Sequence, residues 1–151
     1  MLGISRFRGF TLLELLVTLA VVAIVTAIAA PSFNDVIERQ RVRSAADTLR
    51  STIDLARSEA VKRNAVVSVS RIGDNWNKGW QVLDGATVLQ VAPSQPSLTI
   101  TSAVNTVQFN GSGRSNAAAE FSLVPDSGNT ANAYCVDISL SGRPRSRKGG
   151  C

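Results

Sequence analysis

Histidine is absent from the 151-residue sequence, and cysteine occurs only twice. Without histidine, the chain lacks the usual base of Ser-His and Cys-His catalytic sites and the commonest side-chain ligand of metal ions. Two cysteines are too few for a four-thiolate zinc site. The composition therefore argues against a hydrolase or a metalloenzyme, and we expect neither an enzymatic activity nor a cofactor.

Hydrophobic residues make up 44% of the sequence, but many of them lie in one nearly continuous run from Phe10 to Ala30. As a helix this run would be about 31 Å long, which matches the hydrocarbon core of a bilayer. The preceding residues include Arg6 and Arg8 and no acid, so the positive-inside rule predicts a cytoplasmic N-terminus and an extracytoplasmic remainder. The sequence thus predicts a single transmembrane segment at residues 10–31.

Glu14 is the one acidic residue within this apolar run. A carboxylate inside a bilayer costs on the order of 3 kcal/mol, so it needs either a partner or a position near the lipid headgroups. An alternative for the whole segment is a secretory signal peptide that is cut at the small residues of Ala27-Ile28-Ala29. Both Glu14 and the helical pattern that continues beyond the cut argue against this alternative.

Residues 9–15 have the sequence GFTLLEL, between a short basic leader and an apolar run that ends at Pro31. This arrangement resembles the class III signal of type IV pilins and type II secretion pseudopilins. The resemblance implies that a prepilin peptidase removes the leader, residues 1–9, by cutting after Gly9, and that Phe10 becomes the N-methylated first residue. It also implies that Glu14 pairs with a terminal amine in the filament, where buried opposite charges stabilise each other.

The second half of the predicted helix is amphipathic and extends to about Asn64. Its apolar stripe has helical spacing and is rich in alanine, which lets a sheet approach closely. The residues of the stripe are Val42, Ala46, Leu49, Ile53, Ala56 and Ala60.

Beyond the helix the apolar pattern changes to a period of two, which is typical of strands. Turn sequences such as Asp84-Gly85 and Asn110-Gly111 separate the runs and predict one antiparallel sheet laid over the helix. We expect Trp76 and Trp80 to fill the core, and Gly111-Ser112-Gly113-Arg114 to be a hairpin turn rather than a phosphate-binding loop. The resulting α+β architecture, with a globular domain at residues 32–151, resembles the minor pilins of the GspH and FimT type.

The two cysteines, Cys135 and Cys151, are 16 positions apart in the extracytoplasmic region. Thiols oxidise in that environment, so we predict a disulfide bond that contributes about 3 kcal/mol by closing the loop. The alternative is two unpaired thiols, because the terminal Cys151 follows Gly149-Gly150 and could be too mobile to pair.

Four cations lie near the C-terminus, and no acid follows Asp137. They are Arg143, Arg145, Arg147 and Lys148. Pro144 favours an extended chain, in which the three arginines project to one side at a spacing of about 6.6 Å, or two phosphate steps of a DNA strand. The guanidinium group binds phosphate oxygens in a bidentate manner, so this pattern predicts binding of the DNA backbone without sequence preference.

Gly142-Arg143-Pro144-Arg145 also resembles the Gly-Arg-x-Arg element of FimT-type minor pilins, which bind DNA during natural transformation. The resemblance implies DNA contacts by Arg143 and Arg145, whereas Arg147 and Lys148 are inferred from charge. Besides double-stranded DNA, the implied partners are other pilins, the prepilin peptidase and inner-membrane lipid before assembly into a surface pilus. Three alternatives for the tail remain: a merely solvated basic segment, a contact with anionic lipid, and docking on another pilin. The last would suit a structural minor pilin or type II secretion pseudopilin that primes filament assembly.

Overall fold

The computed structural model describes residues 10–151, and for residues 28–32 it describes the backbone only. The predicted leader, including Gly9, lies outside the described residues. One helix, α1, spans Leu12–Arg63. By its internal contacts the chain separates into two units: the first ends at Val36, and the second is Ile37–Cys151. All strands of the described residues belong to the second unit.

The start of α1 is capped by Thr11. The backbone amide of Glu14 donates a hydrogen bond to Thr11 Oγ1 over 3.2 Å, and the two residues have the spacing of a capping box. Glu14 lies in the first turn, where the positive end of the helix dipole favours an acidic side chain. Its carboxylate therefore has a local stabilising role in addition to the predicted role in assembly.

Apolar side chains of the first unit are exposed, with Phe10 at 76% and Leu12 at 77%. Among the described residues, no helix has the length and apolarity that a membrane crossing requires. The transmembrane segment therefore remains a prediction.

The helical stripe lies in the core of the second unit, as predicted. All six of its residues are completely buried, and they pack against side chains from the strands. The helix ends one residue before the predicted Asn64, which adopts a left-handed conformation with φ of 48°. The Ala65 amide then donates to the Ala60 carbonyl and so satisfies one of the free carbonyls at the helix end.

Eight strands form two antiparallel sheets rather than the single predicted sheet. The first sheet has the order β3-β2-β1-β5, and the second has the order β4-β6-β7-β8. After β3 the chain changes sheet at each of the next three strands, and a sequence pattern does not reveal such long-range pairing. The strands are β1 Val67–Arg71, β2 Trp80–Asp84, β3 Thr87–Ala92, β4 Leu98–Thr101, β5 Thr106–Phe109, β6 Ala119–Pro125, β7 Tyr134–Ile138 and β8 Pro144–Lys148.

Both tryptophans lie in the core, as predicted. Trp80 is fully buried, and its indole N–H donates to Thr52 Oγ1 of α1 over 3.2 Å. The Trp76 ring meets Phe121 edge to face with centroids 4.8 Å apart, and its N–H donates to the Val104 carbonyl over 2.9 Å. These contacts connect the helix and both sheets, and the same core includes side chains of β7, the strand next to β8.

Candidate nucleic-acid interface

The basic tail forms β8, an edge strand that pairs with β7. Arg145 lies opposite Asp137, and Arg147 lies opposite Cys135. Because alternate residues of a strand project to opposite faces, Arg145 and Arg147 share the outer face of the sheet. Lys148 pairs with Tyr134 and therefore belongs to the other face. The structure thus brings the two strand arginines together and separates Lys148 from them.

Arg143 precedes β8 at the end of a tight turn. The Gly142 amide donates to the Ser139 carbonyl over 2.8 Å, and Gly142 has φ of +78°, a conformation that favours glycine. Pro144, the next residue after Arg143, is buried, whereas Arg143 is exposed. The turn and the proline therefore anchor the backbone on both sides of the Arg143 side chain.

The β5–β6 loop packs against this turn. The Ser115 amide donates to the Leu140 carbonyl over 3.2 Å, which ties the loop to the turn through the backbone. The half-buried Arg57 of α1 donates from Nε to the Gly113 carbonyl over 3.0 Å. The predicted hairpin turn is present, with the Gly113 amide donating to Asn110 over 2.8 Å. Arg114 is thus placed on a loop that contacts the turn before Arg143.

The C-terminus is tied to β7 by a covalent bond. The structure contains the predicted disulfide bond between Cys135 and Cys151, with Cα atoms 5.1 Å apart. The Gly149 amide also donates to the Ala133 carbonyl over 2.8 Å. Together with the β7–β8 ladder, these contacts hold the basic strand at its C-terminal end.

Two carboxylates share the outer face with the arginines. Asp137 lies directly between Arg145 of β8 and Glu120 of β6 in the strand register. Its Oδ1 is 3.5 Å from a terminal nitrogen of Arg147. A cleft of about 740 Å³ on this face is lined in part by Asp137, Glu120 and Cys151. Within residues 10–151, neither Arg143 nor Arg145 has an ion-pair partner.

Of the ten basic residues elsewhere in the second unit, five form ion pairs with acids, among them Arg43 with Asp47 and Arg50 with Asp54. Lys62 and Arg63 both pair with Glu59, and Lys78 pairs with Asp74 over 2.8 Å. The hydrogen bond from Arg63 lowers the pKa of Glu59, and the hydrogen bond from Lys78 lowers the pKa of Asp74. The other five have no ion pair within the described part of the chain: Arg39, Arg41, Arg57, Arg71 and Arg114.

Sequence reasoning missed two features of this interface. One is the strand pairing of the tail, which the alternating arginines after the Ser141-Gly142 turn could have signalled as the second arm of a hairpin. The other is the position of Asp137 beside the arginines, which follows only once the register of that hairpin is known. No group of three or more potential metal-ligating side chains occurs in the described residues.

Comparison with known families gives two sequence matches. Residues 45–142 match the family described as Type II transport protein GspH, and residues 4–30 match the prokaryotic N-terminal methylation motif. No curated protein is similar enough in sequence to count as a match.

Similar folds occur in a pilin and a pseudopilin. The chain is 25% identical to the type IV minor pilin FimU of Pseudomonas aeruginosa, with a TM-score of 0.65, covering 73% of this chain and 90% of that chain. It is 14% identical to the minor pseudopilin EpsH from the Type 2 Secretion System of Vibrio cholerae, with a TM-score of 0.60. That second match covers 72% of this chain and 97% of the other, and it shows the fold alone.

A long N-terminal helix with a methylation motif, followed by antiparallel sheets, defines a protein of the pilin class. The GspH match covers well over half of the sequence, and the chain therefore belongs to the GspH family of type II transport proteins. It is a minor pilin of the GspH and FimT type, and its family relation indicates other pilins as partners and a membrane-anchored stage before assembly.

Proposed function

We propose that this minor pilin binds double-stranded DNA through backbone phosphates, without sequence preference, and supports DNA uptake in natural transformation. The observation that carries the proposal is the display of Arg143 and Arg145 at an exposed sheet edge, without an acidic partner among the described residues. A guanidinium group that has no acidic partner among these residues, on backbone held by the turn before β8 or by the β7–β8 ladder, is available to an external anion.

The spacing of the arginines suits a phosphate backbone. Arg145 and Arg147 are alternate residues of β8 and are therefore about 6.6 Å apart, close to two phosphate steps of a DNA strand. Guanidinium groups form paired hydrogen bonds with phosphate oxygens. No aromatic residue lies between the cations of the tail, so base stacking is not part of the proposed contact.

Binding by one copy is expected to be weak. At most three phosphate contacts, from Arg143, Arg145 and Arg147, are available to one DNA backbone, because Lys148 belongs to the other face of the sheet, and they limit the log-log salt slope to about −2.7. Several copies on one filament would raise the avidity without any new contact.

The proposal includes the maturation and location of the chain. A prepilin peptidase cuts after Gly9, and Phe10 becomes the methylated N-terminus. Residues 10–31 span the inner membrane with a cytoplasmic N-terminus, and the domain at residues 32–151 is periplasmic until assembly carries it to the cell surface. Glu14 pairs with a terminal amine in the filament. We propose no enzymatic activity.

A second candidate function is to prime filament assembly, as a structural minor pilin or as a pseudopilin, with no role for nucleic acid. It is favoured by the exposed apolar side chains of the first unit, which offer a packing surface for other pilin helices. In that case the basic tail would contribute nothing to DNA capture.

Replacing both free arginines separates the two candidates in vitro. We expect the R143Q/R145Q variant of the full chain in nonionic detergent to bind unrelated duplexes about 100-fold more weakly, at about tenfold per charge-assisted contact. The matched control is R43Q/R50Q, which removes the same charge from two exposed arginines of α1 that pair with Asp47 and Asp54. Gel-shift affinities that are equal for both variants would refute the proposal.

The same variants separate the candidates in cells. DNA binding predicts that R143Q/R145Q lowers DNA capture while pili still form. Loss of pili with the purified protein's DNA affinity unchanged would instead support the priming role.

A further inference from the structure

Asp137 lies among the arginines of the proposed DNA interface. Its Oδ1 is 3.5 Å from a guanidinium nitrogen of Arg147, and its backbone pairs directly with Arg145. Glu120 pairs with Asp137 on the other side. Directly opposed residues of antiparallel strands project to the same face, so two carboxylates stand beside two guanidinium groups.

A phosphate group that approaches Arg147 meets competition from Asp137. Both anions require the same guanidinium group, and the carboxylate also repels the phosphate. Arg143 does not face this competition. The residue opposite it is Ser139, whose amide donates to the Arg143 carbonyl, and serine carries no negative charge. The arginines of the tail are therefore not equivalent towards an external polyanion.

We infer that Asp137 limits the affinity of this interface for DNA, by occupying Arg147 and by opposing the approach of the phosphate backbone to Arg145. The inference rests on the proposed function and specifies which residue limits the strength of binding. Asp137 acts by occupying Arg147 and by repelling the phosphate, and it is not itself a contact residue.

The alternative, that the Arg147–Asp137 ion pair serves to stabilise the fold, is less well supported. The Arg147 side chain is 55% exposed, and ion pairs of such exposure contribute little to folding stability. The strand is already held by its ladder with β7, by the hydrogen bond from Gly149 to Ala133 and by the Cys135–Cys151 bond. The ion pair is thus not needed to position β8.

Limited affinity would suit a protein that acts through several copies on one filament. Weak individual contacts exchange rapidly, so a filament can hold DNA through many of them and still release it. A tail without Asp137 would bind more tightly and depend more strongly on salt.

The experiment compares D137N with D74N in the full chain, by fluorescence anisotropy with a short duplex over a range of salt concentrations. Both variants remove one carboxylate that pairs with a basic side chain, but Asp74 and Lys78 lie in the connection between β1 and β2, outside the sheet that carries β8. We expect D137N to bind about fivefold more tightly, with a log-log salt slope steeper by about 0.9, as one further phosphate contact becomes available. D74N should stay within about twofold of the unmodified chain.

Replacing Arg147 both in the unmodified chain and in the D137N variant tests the mechanism. R147Q should lower the affinity by itself, because it removes a cation and leaves Asp137 without its partner, and most of the gain from D137N should be lost when the two changes are combined. Asp137→Ser provides a second neutral side chain, and thermal unfolding monitors the fold of each variant.

Each outcome has a distinct meaning. If D137N, D137S and D74N bind equally, the inference is wrong, whereas the proposed function stands as long as R143Q/R145Q weakens binding. If the unmodified chain does not bind the duplex, or if R143Q/R145Q binds it as tightly as the unmodified chain, the proposed function is wrong. The inference about Asp137 is then wrong as well.

Discussion

Gly142 packs against the carbonyl oxygen of Gly113 so closely that a Cβ atom at position 142 would overlap it. That Cβ would also lie 3.3 Å from Nε of Arg57, which is hydrogen-bonded to the same carbonyl. The turn before Arg143 is therefore fixed by the helix, the β5–β6 loop and its own left-handed glycine. The glycine of the Gly-Arg-x-Arg sequence has a structural task, and the arginines after it are displayed as a result.

Gly142→Ala should destabilise the second unit by about 3 kcal/mol, through the positive φ together with the overlap. Gly128→Ala is the matched control, because Gly128 has φ of +76° but no atom within 4 Å of the added Cβ. It should cost only about 1 kcal/mol for the left-handed conformation. Urea unfolding measures both variants, and equal losses would show that the contact with Gly113 is unimportant.

Reduction of the Cys135–Cys151 bond should lower the free energy of unfolding by about 3 kcal/mol, because the bond closes a loop with a sequence separation of 16 residues. Amide hydrogen exchange in β8 should increase more than exchange in β6, since β8 is paired on one side only. Unfolding with and without reductant is the measurement, with the Cys151→Ser variant as the genetic equivalent. An equal increase of exchange in β6 and β8 after reduction would contradict the idea that the disulfide bond holds the edge strand in place.

Glu14→Gln should reduce incorporation into filaments, because it removes the charge that is proposed to pair with a terminal amine. Thr11→Ala is the matched control: it removes the hydroxyl that caps the Glu14 amide but retains the carboxylate. Sheared filament fractions, probed for this chain, measure incorporation. A similar defect in both variants would assign the effect to the helix cap instead of the charge.

Glu59 should make the stability of the second unit dependent on pH in the acid range. The hydrogen bond from Arg63, over 2.7 Å, lowers the pKa of Glu59 in the folded chain. The resulting stabilisation is complete above the ordinary pKa of glutamate, roughly pH 4.3, and is lost as the pH falls through the lower folded value.

The test of this dependence is the unfolding of Glu59→Gln, Arg63→Gln and the double variant at pH 7 and pH 3. Each single variant should reduce the difference in the free energy of unfolding between pH 7 and pH 3. The double variant should reduce this difference little more than either single variant does. A full pH dependence in Glu59→Gln would assign the acid sensitivity to other carboxylates, such as Asp74, whose pKa is also lowered.

The parts of the fold that depend on local pattern were predictable from the sequence. The stripe from Val42 to Ala60 is buried because helical spacing alone decides which side chains share a face. The burial of Trp76 and Trp80 followed from their size in a small domain. The disulfide partners followed from the presence of only two cysteines.

The division into two sheets was not predictable in this way. Strand patterns identify a strand but not its neighbour, and β5 pairs with β1 across a long stretch of sequence. For the same reason, the charge of the tail was visible in the sequence, whereas its partial neutralisation by Asp137 was not. That carboxylate reaches Arg147 only through the register of the β7–β8 hairpin.

The covalent link between Cys135 and Cys151 also has a mechanical meaning. A load pulling on the arginine side chains enters the domain at its outermost strand, which would otherwise peel away one hydrogen bond at a time from its free end. With that end fastened to β7, the ladder must yield along its whole length at once. Under the proposed function, the edge strand is thus suited to bear tension from bound DNA.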